Sequence, residues 1–168
     1  MIDRSEAPEY YFNYIDLVPP GDICALIDSQ RRQVDDLLRS VADERSRFRY
    51  APDKWSIREV LGHVNDAERL FTFRAYWFAR GFDAPLPSFD QTIAAQHAGA
   101  DERPWLTHVE EFHAIRSSTL DLFRYLPPDA WPRTGIASGH SFTVRALAHI
   151  VVGHVIHHVT ILKQRYGV

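Results

Sequence analysis

Four stretches of this chain repeat apolar residues at three- and four-residue spacing, and that period commits it to packed helices. The first carries Ile23, Leu26, Ile27, Val34, Leu37, Leu38 and Val41, and predicts a helix from about residue 22 to 45. The second opens on Ser56-Ile57-Arg58-Glu59, a capping box in which the Ser and Glu side chains satisfy each other's backbone donors. It continues through Val60, Leu61, Val64, Ala67, Leu70 and Phe71 to Arg80, with Gly81 as its stop. The third starts at Pro104 and carries Trp105, Val109, Phe112, Leu120, Phe123 and Leu126 until Pro127-Pro128 ends it. The fourth is capped by Thr143, has Leu147, Ile150, Val151, His154, His158, Ile161 and Leu162 on one face, and closes at Gly167.

Gln30 and Arg116 are polar interruptions inside two of these stripes. Residues 81–103 read as loop with a short helix near Gln91 to His97, and a loop of that length tends to cover something. Residues 129–142 read as irregular chain, and no strand signal of comparable strength stands anywhere. The expected fold is therefore all-α, one four-helix bundle domain over 1–168 with long irregular connections.

Composition narrows the function. A net charge of −3 argues against a nucleic-acid footprint or a membrane-binding basic patch, and one Cys (Cys24) cannot form a disulfide framework or a Cys-based zinc finger. The charged N-terminus lacks the apolar core of a signal peptide, so a soluble, cytoplasmic protein is expected.

The chemistry concentrates in the nine His. His154 and His158 lie four apart, one turn of helix, on an apolar stripe where an unpaired imidazole is costly. Two imidazoles so placed can hold one ion, or can be core His bonded to backbone. His63 in the second helix, with Glu59 and Asp66 one turn either side, is the third candidate, because bundles build metal sites from inward side chains of facing helices. Three protein ligands leave a position for water or substrate, the mark of a catalytic site. Neutral imidazoles suit Zn, Ni, Fe(II), Co or Cu(II). Asp66 is a candidate catalytic group that orients a ligand or accepts a proton, or else a solvated carboxylate.

His157 competes with His158 at similar spacing, but sits farther from the line of Val151, His154 and Ile161. His149 points away from His154, and His97, His108, His113 and His140 have no partner at chelating spacing. Val155 after His154 and His157 before His158 exclude the two zinc-peptidase helix motifs, and the last helix has no Glu for a di-iron site. Arg74 and Arg145 read as surface or interface ion-pair partners. The four Trp read as core and interface anchors.

The segments Lys54-Trp55-Ser56-Ile57-Arg58-Glu59-Val60-Leu61-Gly62-His63-Val64 and Gly153-His154-Val155-Ile156-His157-His158 resemble the second- and last-helix signatures of the DinB-like superfamily, whose YfiT-type branch contains metal-dependent hydrolases. Asp66-Ala67-Glu68-Arg69, Pro85-Leu86-Pro87-Ser88-Phe89-Asp90 and Ser141-Phe142-Thr143-Val144-Arg145-Ala146-Leu147 extend the likeness over most of the chain. The resemblance implies an up-down-down-up bundle, often a homodimer, with a divalent metal held by His63, His154 and His158. Zn or Ni come first for that ion, with Fe, Co or Mn behind them. Many members end the last motif with His-x-Gly-Gln, and His158-Val159-Thr160-Ile161 departs from it. The implied activity is transfer of a low-molecular-weight thiol or hydrolysis of a small-molecule substrate; the alternative is a non-catalytic, stress-related, dimeric metal-binding protein.

Overall fold

The structure, a computed structural model, describes residues 2–168. A one-turn helix α1 (Phe12–Ile15) precedes α2 (Ile23–Arg39) and α3 (Ile57–Ala79). The short α4 (Gln91–His97), α5 (Trp105–Arg124), strands β1 (Thr134–Ala137) and β2 (His140–Thr143), and α6 (Val144–Ile161) follow, and α6 runs on into a π-helical turn at Leu162–Tyr166. The helix starts are where side-chain chemistry places them. Ser56 and Glu59 form the reciprocal capping box of α3, with Ser56 N donating to Glu59 Oε2 at 2.7 Å and Glu59 N to Ser56 Oγ at 3.1 Å. Thr143 Oγ1 accepts from Ala146 N at the start of α6, and Gly167 ends the chain's last turn in the left-handed conformation.

Two expectations need correction. The first long helix stops at Arg39 rather than near 45. Beyond it, Asp43 is held by three partners: its carboxylate accepts from Trp105 N at 2.9 Å and pairs with Arg58 at 2.7 Å, while its carbonyl accepts from Ser46 Oγ at 2.5 Å. Those tertiary bonds outweigh the remaining helical period. The segment before α6 is not irregular but a β-hairpin, pairing Thr134 with Thr143 through to Ala137 with His140. Its turn residues Ser138 and Gly139 both have positive φ (53° and 77°), the backbone of a type I′ turn. Leu86 N donates to Ile136 O and Leu86 O accepts from Ser138 N, so the long 81–103 connection is pinned to the hairpin. A side chain at Gly135 would meet the Phe78 ring at 2.0 Å, so the hairpin seats on α3 only because that residue has none.

Helix directions follow from cross-helix bonds. Trp105 Nε1 donates to Leu38 O while Arg116 reaches Gln30, so α2 and α5 are antiparallel. Asn65 donates to His108 O and Glu68 accepts from Thr119, so α3 and α5 run parallel. Gln30 donates to Val152 O and Arg45 to Tyr166 O, which makes α2 and α6 parallel. Tyr166 OH donates to Trp55 O and the Phe71 ring meets His154, which makes α3 and α6 antiparallel. The bundle is up-down-down-up, with α2 and α3 on one diagonal and α5 and α6 on the other. Because α3 and α5 are parallel neighbours, the chain must return roughly 35 Å, the length of a 23-residue helix, between them. Residues 80–104 make that return.

The core is split into two apolar clusters. One gathers Phe71, Phe78, Phe123, Phe142, Leu147 and Val151; the other gathers Leu38, Ile57, Leu61, Trp105, Phe112 and Leu162. Between them lies a polar layer that uses the two interruptions of the helical stripes. Arg116 donates to Glu68 Oε2 at 2.9 Å and to Gln30 Oε1, Thr119 Oγ1 donates to Glu68 Oε1 at 2.6 Å, and Gln30 Nε2 donates to Val152 O at 3.0 Å. Arg116 and Glu68 are fully desolvated, so each charge depends on the other. On the α6 side, the one-turn α1 lies against Gly153, where an added Cβ would fall 2.1 Å from Tyr14 O. The span Val144–Tyr166 is long and apolar enough to cross a membrane, but most of it is buried within the bundle, which accounts for its apolarity.

Candidate metal centre

His63 occupies the second turn of α3, and His154 and His158 stand one turn apart on the face of α6 that meets it. The antiparallel pairing of these helices turns all three rings inward, each less than a tenth exposed. His154 Nε2 lies 3.1 Å from His63 Nε2 and 3.1 Å from His158 Nε2. Nitrogen–metal bonds of 2.0–2.1 Å set neighbouring donors about 3.3 Å apart in a tetrahedral shell and about 3.0 Å apart on an octahedral face. The observed spacing falls between the two.

Electrostatics agree. Burial pushes His63 down to about 4 and His158 down to about 3, with the neighbouring imidazoles adding to the shift, and His154 falls well below the usual histidine value for the same reasons. All three rings are therefore neutral at pH 7, the form a metal requires. Hydrogen bonds within the trio do not satisfy it: His154 Nε2 stands 3.1 Å from both other Nε2 atoms, and a ring nitrogen with one hydrogen or one lone pair bonds well with only one of them. Three neutral rings with converging Nε2 lone pairs fit a divalent transition ion.

The surroundings are aromatic. The Trp55 ring lies 5.1 Å from His63, Tyr14 meets His154 edge-on at 5.2 Å, and Phe71 meets it at 5.8 Å. A cavity of about 590 Å³ opens onto His63 and His154, walled by Tyr10, Tyr14, Phe71, Arg74 and residues 88–92 of the return segment. A second cavity of about 330 Å³, lined by Tyr50, Trp55, Tyr166 and others, reaches His158. The trio thus separates two openings.

Asp66 lies apart from the cluster. It lines a small third cavity with His97, His108 and Glu111, and pairs loosely with Arg69 at 3.6 Å. Burial raises its carboxyl above the usual value. His157 packs half-buried against Tyr14 and His158 without joining the three nitrogens. His149 Nδ1 donates to Arg145 O, while His108 Nε2 donates to Ala100 O at 2.9 Å. Arg145 does pair with a carboxylate, that of Glu6. Arg74 does not behave as a surface ion-pair partner; it is 1% exposed and borders the larger cavity. Tyr14, Trp55 and Arg74 are the wall residues that periodicity did not single out, although Arg74 follows His63 by eleven residues, three turns along the same face.

The sequence profile of the DinB superfamily matches residues 26–162. The chain belongs to the DinB superfamily. All three histidines lie within that DinB span. Among solved structures, the chain is similar to YfiT from Bacillus subtilis, described as a probable metal-dependent hydrolase with an unusual four-helix bundle topology. The TM-score is 0.71 at 16% identity, over 99% of this chain and 93% of that one. No curated protein sequence matches this DinB-superfamily chain.

Proposed function

We propose that the protein is a metal-dependent enzyme that joins a low-molecular-weight thiol to a small electrophile, with His63, His154 and His158 as the ligands of a divalent transition ion. The observation that carries this reading is the convergence of three neutral imidazoles between two separate cavities. Two cavities that reach the same centre let a thiol and an electrophile approach it separately, and membership of the DinB superfamily together with the likeness to YfiT supports metal dependence. An ion bound there supplies Lewis acidity, lowering the pKa of a coordinated thiol or water.

The chain's own residues do the rest. The imidazoles are held deprotonated by burial, so they bind an ion without first losing protons. Trp55, Tyr14 and Phe71 fix the rings and keep bulk water from their faces. The larger cavity, at about 590 Å³, is within the range that encloses a small organic molecule. Hydrolysis by activated water is the second reading, favoured by the vacant coordination place that three ligands leave.

Purified protein is tested for bound metal and for consumption of a thiol in the presence of monobromobimane. Thiol-dependent turnover lost in His154→Ala supports the transferase; ester or amide hydrolysis without thiol supports the hydrolase. A freshly purified, unchelated sample with no bound transition metal overturns both.

A further inference from the structure

Among the described residues three arginines are buried to 1% exposure or less, and two of them have carboxylate partners. Arg58 pairs with Asp43 at 2.7 Å and Arg116 with Glu68 at 2.9 Å. Arg74 is the exception. Among the described residues no carboxylate lies within 4.0 Å of it; its bonds go to Pro87 O at 3.2 Å and Ser138 Oγ at 2.9 Å, and its Nε is buried with no partner. An arginine keeps its charge under any physiological condition, and a buried charge facing only neutral acceptors is costly. Its place is not the interior of the bundle but the wall of the cavity that His63 and His154 also line.

We propose that Arg74 is the anchor for a carboxylate carried by the substrate of the larger cavity. This rests on the metal-centre reading only for the identity of the other end of the ligand. The guanidinium fork matches a carboxylate with two parallel bonds; both bonds of Arg74 leave from Nη2, while Nη1 donates to no described residue and is the donor left for a ligand in the cavity. Arg74 lies eleven residues after His63, so their Cα atoms are separated by roughly 16 Å along the helix axis. A molecule that touches both ends is therefore elongated, on the order of 10–15 Å, with its acid remote from the atom that reaches the imidazoles. Phe71 lies between the two ends on α3, and Tyr11 and Phe89 add to the aromatic wall, which suits an apolar or amide-bearing middle. Short anions are not selected, because they cannot bridge the span.

The test uses terminal mercaptocarboxylates of three lengths, mercaptopropionate, mercaptooctanoate and mercaptoundecanoate, each against the mercapto-alcohol of the same length. Binding is read by calorimetry on metal-free protein and by the thiolate-to-cobalt absorbance of the Co(II)-loaded protein. In wild type, one of the two longer carboxylates is expected to bind at least about tenfold tighter than its alcohol, as a charge-assisted bidentate bond provides, and mercaptopropionate to show no such preference in the Co(II) protein. The preference is expected to vanish in Arg74→Met and to survive in part in Arg74→Lys. Equal binding of acid and alcohol by wild type overturns the proposal without any variant. So does a preference that persists in folded Arg74→Met. A carboxylate preference in metal-free protein with no cobalt absorbance change keeps Arg74 as the anchor and overturns the metal-centre reading instead; the reverse pattern does the opposite.

Discussion

Acidifying the metal-free protein puts the three-histidine cluster under direct load. His63 titrates at about 4 and His158 at about 3 in the folded chain, against 6.5 for a free histidine. Below pH 6.5 the unfolded chain therefore binds protons that the folded chain refuses, so stability is complete above that value and is lost as pH falls towards 4 and then 3. At about pH 5 the loss is about 2 kcal/mol for each ring, about 4 kcal/mol for the pair, a large part of the 5–15 kcal/mol typical of a domain. Carboxylates whose values are lowered by partners, such as Glu6 with Arg145 and Glu111 with Arg69, lose their contribution below about 4.5, outside this window. Urea unfolding of chelator-stripped protein between about pH 7.5 and 5 reads the effect, and the double variant His63→Phe, His158→Phe isolates it from the other histidines. A wild-type loss no larger than that of the variant would refute the reasoning, because desolvation of those rings would then carry no cost.

Proton release gives a second check: metal binding at about pH 6 should expel far fewer than the roughly two protons that three ordinary histidines would lose, measured by calorimetry in two buffers of different ionisation enthalpy. Glu68→Gln leaves the Arg116 charge buried and unpaired and should cost about 3–5 kcal/mol in urea unfolding, while exposed Asp121→Asn should cost less than about 0.5 kcal/mol. Gly153→Ala places a methyl against Tyr14 O and should lower stability by about 1–3 kcal/mol, with earlier proteolysis before Asp22.

Much of the fold and the centre was legible because periodicity reports burial. His154 and His158 share a stripe, His63 stands beside one, and the structure joins all three. The same rule marked Gln30 and Arg116 as interruptions, and they meet. It said nothing of their third partner, because Glu68 sits among charged neighbours that look solvated until α3 and α5 are placed side by side. The hairpin escaped for a different reason: four-residue strands in which only Ala137, Phe142 and Thr143 are buried offer too little alternation to register. The end of α2 is set by Asp43, whose partners Arg58 and Trp105 are distant in sequence. Arg74 has no sequence signature of its own, because burial without a counter-charge is a tertiary property that no local pattern announces.

The parallel arrangement of α3 and α5 obliges the chain to travel back along the bundle, and residues 88–92 of that traverse form one side of the larger cavity. Part of the ligand-facing wall is thereby carried by residues outside the four packed helices. Rewriting residues 88–92 reshapes what the cavity accepts while the helices keep their register, so relatives are free to diversify their chemistry there without relearning how to fold.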